Sequence, residues 1–328
     1  MGDYWKLIAN KYGITDPING SWIQPIAYYF GATDPVNGSW IQAIADAIGV
    51  SSINGNWIQP IAISEGATGS VNGSWLQALY EATGGTPSWS PDDISNLELW
   101  YHRSDESTFN SGSITDGTQV NTWMDKSTNG LDMTQITSTK QPIYGATAVS
   151  FDGVDDILSN STTNLFGTHE YGAICFSGYA FANSWYFSSC DTSTTTSHIR
   201  IAQRSTGELG IVTSVSPGGG NYYQGQMTTT QLTDGDYFYA IIYSDGSNWY
   251  IRLNGVEETL QGWPSAVPPF EGKWFADIPS RDNIAFGGMI RSSTTTTKCS
   301  LDKLIYYYKV LTPTEITDIE TWLSDPNN

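Results

Sequence analysis

The chain has 328 residues, and its 33 acidic against 14 basic side chains leave a net charge of −19. A polyanion of that kind is repelled by nucleic acid and by anionic membrane surfaces, which excludes both as partners. A hydrophobic content of 39% with 13% aromatics excludes bulk disorder, and no apolar run reaches membrane-spanning length.

The first element in the chain is a repeat. Tryptophans stand at Trp5, Trp22, Trp40, Trp57 and Trp75, at alternating steps of 17 and 18 residues. Ile18, Asn19 and Gly20 return as Ile53, Asn54 and Gly55, and Pro25 returns as Pro60, so the full unit is 35 residues. It reads as two related helices, in two full copies after a leading half copy around Trp5. Ser21, Ser39, Asn56 and Ser74, each followed three residues later by Gln, predict capping boxes. Gly31, Gly49, Gly66 and Gly84 predict left-handed helix ends. Helices of about ten residues are unstable alone, so the stripe Trp22, Ile26, Tyr29 and Phe30 and the stripe Trp40, Ile44 and Ile48 must bury against neighbours. Residues 1–83 are thus expected to form a small all-α domain with Trp as its largest core filler.

Residues 84–93, "GGTPSWSPDD", read as a linker. From residue 94 to 328 the helical period gives way to short alternating runs between Gly, Asn, Asp, Ser and Thr, the pattern of a β-sandwich. The runs are "AVSFDG" (148–153), "YGAICFSGYAF" (171–181), "SHIRIAQRS" (197–205), "LGIVTSV" (209–215), "YFYAIIYS" (237–244) and "WYIRLNG" (249–255). The last two, joined by "DGSN" (245–248), predict a hairpin. "TPTE" (312–315) predicts a capped helix start, with Ile316, Ile319 and Leu323 as its apolar face. Cys175, Cys190 and Cys299 are odd in number and have no metal-like spacing, so they read as small buried residues. His102, His169 and His198 are scattered, and no Gly-x-Ser-x-Gly elbow accompanies them.

"LELWYHRSD" (97–105), "DGTQVNTWMDKSTNG" (116–130), "QPIYGATAVSFDGVDDIL" (141–158), "WYIRLNG" and "DKLIYYYKVLTPTEITDIETWL" (302–323) resemble the concanavalin A-like, laminin-G-type jelly roll over roughly residues 94–325. The resemblance implies two curved antiparallel sheets. The fold class is therefore mainly β, a concanavalin A-like antiparallel sandwich preceded by the small helical domain. The Asn-Gly-Ser-Trp-Ile-Gln repeats are similar to repeats in structural proteins of tailed bacteriophages.

Glycosidases on this sandwich carry Glu-x-Asp-x-Glu or a near variant on one strand, and the sequence has no such run, so no enzyme is expected. Asp152, Asp155 and Asp156 in "SFDGVDD" are candidate calcium ligands, since some related sandwiches bind calcium. The same residues suit a plain turn, and no other cofactor is implied. Glycan binding needs exposed aromatic faces beside amides and carboxylates. "NSWY" (183–186), "SPGGGNYYQG" (216–225) and "QGWPSAVPPFEGKWF" (261–275) have that composition, giving Trp185, Tyr222, Tyr223 and Trp263 as candidate glycan contacts. Tyr222 and Tyr223 are placed on a glycine-rich loop, and Trp274 is read as covering a sandwich edge.

Together these readings describe a non-enzymatic, multi-copy bacteriophage virion protein of the capsid, neck or tail. Its helical repeats, through Trp5, Trp22, Trp40, Trp57 and Trp75, dock to other virion proteins, and its sandwich meets host-surface glycan. The alternative is a secreted or surface bacterial carbohydrate-binding module or adhesin, against which the N-terminus shows no export signal.

Overall fold

A computed structural model describes residues 5, 6, 8, 9, 12, 14, 17, 21–36, 39–50, 58–64 and 79, and residues 89–325 except 111, 113, 163–165, 195, 216–221 and 265. The chain divides into two compact units, Met1–Trp89 and Ser90–Asn328.

The first unit contains helices at Ile23–Tyr29, Trp40–Ala47 and Ile58–Ser64. Their shared core is Trp5, Ile8, Ala9, Ile26, Ala27, Ile44, Ala45, Ile61, Ala62 and Leu79, so an Ile-Ala pair returns in the first four half-repeats and Leu79 takes the place of Ile in the fifth. That recurrence is why no short helix stands alone: each buries two side chains against its neighbours' equivalents. The helix ends only partly follow the sequence pattern. Ser39 accepts a hydrogen bond from the Gln42 amide at 3.2 Å. The first helix instead begins one residue late, with Trp22 at the cap position and no side-chain cap, so the expected role of Ser21 is not realised. Pro25 then falls at the third helical position, among the amides that have no helical partner, and its missing N–H costs nothing. Gly31 and Gly49 do close their helices at φ of 90° and 77°. Tyr29 departs from its expected stripe and is exposed. Trp5 is buried in the core, with Trp22 and Trp40 packed against it, so the Trp5 ring is not available as a docking surface. Trp57 and Trp75 lie outside the described residues, as do Asn56, Ser74, Gly66 and Gly84.

The second unit is a sandwich of two antiparallel sheets. The first sheet has the order Val256–Glu257, Trp249–Leu253, Tyr237–Ser244, Gly172–Tyr179, Lys298–Tyr307, Val149–Asp152 and Ile143–Tyr144, with Leu97–His102 also paired to Lys298–Tyr307. The second runs Leu260–Gly262, Tyr222–Gln231, Glu208–Val215, His198–Gln203, Trp185–Cys190, Asn283–Phe286, Leu158–Asn160, Met133–Thr134 and Thr122–Trp123. A small ribbon, Gly288–Ile290 with Thr294–Thr296, lies beside the second sheet, where Ser188 Oγ donates to the Gly288 carbonyl at 2.7 Å. The core between the sheets takes Ile174, Phe176, Leu304 and Tyr306 from one side and Phe187, Ile199, Ile201, Ile211 and Phe286 from the other. Tyr101 meets Phe286 edge-on across it, with ring centroids 5.1 Å apart.

Gly172–Tyr179 is buried along nearly its whole length, which explains why its sequence is a continuous apolar run and not an alternation. Its core side faces the second sheet. Its other side lies under the helix Pro313–Ser324, whose Thr312 cap and Glu315 make the expected capping box. The helix is fastened by polar groups: the buried Lys303 Nζ donates to the Trp322 carbonyl at 2.8 Å, and the half-buried Arg252 Nε meets Glu320 Oε1 at 2.8 Å. All three cysteines are buried and free. Residues 91–93, assigned to the linker by composition, form a 3-10 turn in the sandwich unit, where the Pro91 carbonyl accepts from Tyr307 Oη at 2.8 Å. Among the described residues no helix is long and apolar enough to cross a membrane.

Candidate functional site

Two of the sequence-predicted aromatic segments turn out to be strand ends. Trp185 opens the strand Trp185–Cys190, and Tyr222 and Tyr223 open Tyr222–Gln231, where Val215 pairs with Tyr222 and Ser214 with Tyr223. The tyrosines are therefore held by a backbone ladder, not carried on a loop. The side chain of Tyr222 lies outside the described residues.

The pairing brings distant residues into one row. Ser188 lies opposite Arg200, Arg200 opposite Val212, and Val212 opposite Gly225. Arg200 points away from the core because its neighbours Ile199 and Ile201 point into it. Trp263 follows the edge strand Leu260–Gly262, and its amide donates to the Gly225 carbonyl at 2.9 Å. A side chain at Gly225 would meet Trp263 Cβ at 3.0 Å and Val212 Cγ2 at 3.1 Å. Glycine there lets the tryptophan lie close over the sheet.

Arg200 is the centre of the resulting cluster. Its guanidinium carbon is 5.1 Å from the Trp185 ring and 6.0 Å from the Trp263 ring, and Nη2 donates to Tyr223 Oη at 2.9 Å. All four side chains are half-buried. Three candidates that the sequence offered separately thus converge on one arginine. Arg200 itself was read only as a strand residue in "SHIRIAQRS". Nothing in that stretch marks it, because its partners come from residues 15 to 63 positions away and meet only through the sheet register.

The electrostatics of this face are unusual for so acidic a chain. Arg103, Lys126, Arg204, Arg252, Lys273, Lys303 and Lys309 each form an ion pair with a carboxylate. Arg200 has none among the described residues, and its Nε is buried without a hydrogen-bond partner. Burial lowers the guanidinium's affinity for its proton, and the Tyr223 hydroxyl opposes that. His198, one row along, is 3% exposed with neither ring nitrogen partnered among the described residues. Burial first, then Arg200 and Arg291, hold it down to about 3, so it is neutral at physiological pH. This part of the sheet therefore carries unneutralised positive charge beside aromatic faces.

The acidic trio is a different kind of feature. Asp152, Asp155 and Asp156 bring carboxylate oxygens within 4.8 Å of one another. Asp152 Oδ1 accepts the Val154 amide at 2.7 Å and Asp156 Oδ2 accepts the Asp152 amide at 2.9 Å, so the carboxylates build the turn at Gly153. These are residues a calcium ion would use, and the turn accounts for their position without one. Burial, with smaller contributions from Asp152 and Asp155, pushes the Asp156 carboxyl up to about 6, against the Asp152 amide. The folded value lies above the unfolded one near 3.9, so folding favours the protonated acid. That stabilisation is complete below about pH 4 and is lost as pH rises through about 6. Asp156→Asn keeps a neutral group at every pH. It is expected to be more stable than wild type at pH 7.5, by on the order of 2 kcal/mol, with the gain shrinking towards pH 4. Thermal melts at the two pH values check this, and a pH-independent difference would contradict it.

Trp274, read from sequence as an edge cover, is fully buried, with Nε1 3.2 Å from Tyr306 Oη. It is a core residue.

No protein family matches the sequence, and no curated protein matches it. Solved structures similar to it include the Ruminococcus gnavus IT-sialidase CBM40 bound to α2,3 sialyllactose, at 18% identity and TM-score 0.39 over 48% of this chain and 85% of that one. The same module bound to α2,6 sialyllactose matches at 17% identity, with TM-score 0.39 over 48% of this chain and 86% of that one. A Trypanosoma rangeli sialidase in complex with 2,3-difluorosialic acid is similar at 8% identity and TM-score 0.49, over 88% of this chain and 40% of that one. At these values the matches transfer no ligand and no residue role to this chain.

Proposed function

We propose that the sandwich is a carbohydrate-binding domain that holds its ligand without cleaving it, on the outer face of the second sheet. Trp185, Trp263 and Tyr223 offer ring faces to sugar C–H groups, and Arg200 receives an acidic substituent. The observation that carries this reading is the convergence of three aromatic residues on an arginine that has no carboxylate partner among the described residues. Aromatic faces favour a sugar's apolar side. A guanidinium binds a carboxylate or sulfate through two parallel N–H donors, and Arg200 retains donors that Tyr223 does not occupy.

The test is a glycan array in which each oligosaccharide appears in neutral, carboxylated and sulfated forms. Binding is expected to concentrate on the acidic forms and to weaken with salt. Absence of binding to any glycan would overturn the proposal.

A second reading concerns the helical unit and rests on its 35-residue repeat and separate core. It makes that unit an attachment arm that carries the sandwich on a virion, in many copies. Proteomics of purified particles tests it: the chain should be found, and deletion of residues 1–87 should remove the sandwich from the particle. Normal loading of the truncated chain would contradict the arm.

A further inference from the structure

We infer that a depression on the outer face of the first sheet, on the other side of the sandwich from Arg200, binds the alkylated ammonium group of a small organic cation. Part of its lining comes from the hairpin of Tyr237–Ser244 and Trp249–Leu253. Ile242 and Ile251 point into the core, so their neighbours Tyr243 and Tyr250 point outwards. These two tyrosines lie opposite each other in the register, and their rings stack with centroids 4.8 Å apart and planes 13° apart. The rest of the lining is mainly Val310, Leu311, Pro313 and Ile316, where the chain enters the helix Pro313–Ser324. The space they enclose is about 550 Å³.

Three observations define the occupant, and each rests on side chains that reach the space. The first is the ring pair. Tyr243 and Tyr250 are both half-buried and line the depression. Tyr250 Oη donates to Asp245 Oδ2 at 3.0 Å, which makes that ring more electron-rich. Such ring faces attract a cation. The second is charge. Asp245 and Glu257 line the depression and are exposed, the Glu257 side chain at 56%. Arg252 lines it too but is already paired: Nε lies 2.8 Å from Glu320 Oε1, and Nη2 donates to the Gly255 carbonyl at 2.8 Å. Glu257 is its looser second partner, at 3.7 Å. Arg252 and Glu320 offset each other, so Asp245 and Glu257 leave the site net negative. At the start of the helix, Glu315 accepts the Thr312 amide at 2.8 Å and answers the positive end of the helix dipole. The third observation is the aliphatic part of the lining. A bare ammonium is strongly hydrated and loses that water against Val310, Pro313 and Ile316, whereas N-methyl groups pack on them. An acidic sugar is repelled here, the opposite of the preference proposed for Arg200.

The test compares choline with 3,3-dimethylbutan-1-ol, which has nearly the same shape but carries a neutral carbon in place of the charged nitrogen. Each is titrated into the full chain, and the Val310 and Ile316 methyl resonances are followed by NMR. Choline should shift both saturably and bind roughly tenfold more tightly than the alcohol. Tyr250→Leu keeps an apolar surface but removes a ring face, and it should weaken choline several-fold with little effect on the alcohol. Glu257→Gln changes an exposed side chain and so leaves the fold intact; it should likewise weaken choline and spare the alcohol. Equal binding of choline and the alcohol, or choline shifts that leave Val310 and Ile316 in place, would overturn the inference. So would undiminished choline binding to either variant.

Discussion

Replacing Arg200 with glutamine lowers affinity for an acid-bearing oligosaccharide by roughly ten- to a hundredfold, with little change for the neutral counterpart. Hydrogen bonds to a charged group contribute about 1.5–3 kcal/mol, and about 1.4 kcal/mol is a factor of ten in affinity. The selectivity follows from where the charge lies. Arg200 has no carboxylate partner among the described residues, so the ligand's acid supplies the counter-charge and a neutral sugar gains nothing from it. Arg200→Lys should recover only part of the loss, since an ammonium keeps the charge but not the planar fork that lies near both tryptophan rings. Trp263→Ala should weaken acidic and neutral ligands alike, because ring stacking does not read charge. Calorimetry with a matched acidic and neutral pair separates these outcomes. Equal losses on both ligands for Arg200→Gln would mean that the arginine only supports the rings.

The largest effect on stability is expected at Arg103. Its Nε lies 3.2 Å from Asp302 Oδ1, and both side chains are almost fully buried. Asp302 is the extra residue of a bulge where Lys298–Tyr307 pairs with Gly172–Tyr179, the register shifting between Leu301 and Lys303. That bulge turns its carboxylate towards Tyr237 Oη at 3.2 Å and Ser177 Oγ at 3.4 Å. Burial raises the Asp302 carboxyl's value while Lys303 and Arg103 lower it. Arg103→Leu leaves a buried carboxylate short of its closest cation, which costs about 3–5 kcal/mol. For a unit of this size the melting temperature should fall by roughly 10 °C. Adding Asp302→Asn to Arg103→Leu should restore part of that loss, since the stranded charge is gone. A double variant no more stable than the single one would place the cost in lost packing and not in the charge.

The sequence carried the architecture wherever an element was long enough to show a period or a cap. The strand Val149–Asp152 alternates in burial as its residues do, and the hairpin across 245–248 and the helix after Thr312 form as their turn and cap residues indicate. Strands of two or three residues, such as Thr122–Trp123, Met133–Thr134 and Leu158–Asn160, are too short for any period and are visible only through their partners. The site was legible in pieces. Trp185, Tyr223 and Trp263 stood out by residue type, but their common centre did not, because register is a property of the sheet and not of one strand. The same limit misplaced Trp274: a Pro-rich segment suggested surface, while the ring packs against Phe275 and Tyr306 in the core. At Ser21 a correct-looking cap residue lost to a helix that starts at Ile23.

The most direct measurement is an NMR titration of the tryptophan indole N–H resonances with the tightest-binding acidic glycan from the array. If the ligand lies on the outer face of the second sheet, the signals of Trp185 and Trp263 move together and saturably, while those of Trp100, Trp123 and Trp249 stay in place. Stationary Trp185 and Trp263 signals under saturating glycan, with shifts elsewhere, would contradict the assignment of this face as the carbohydrate site.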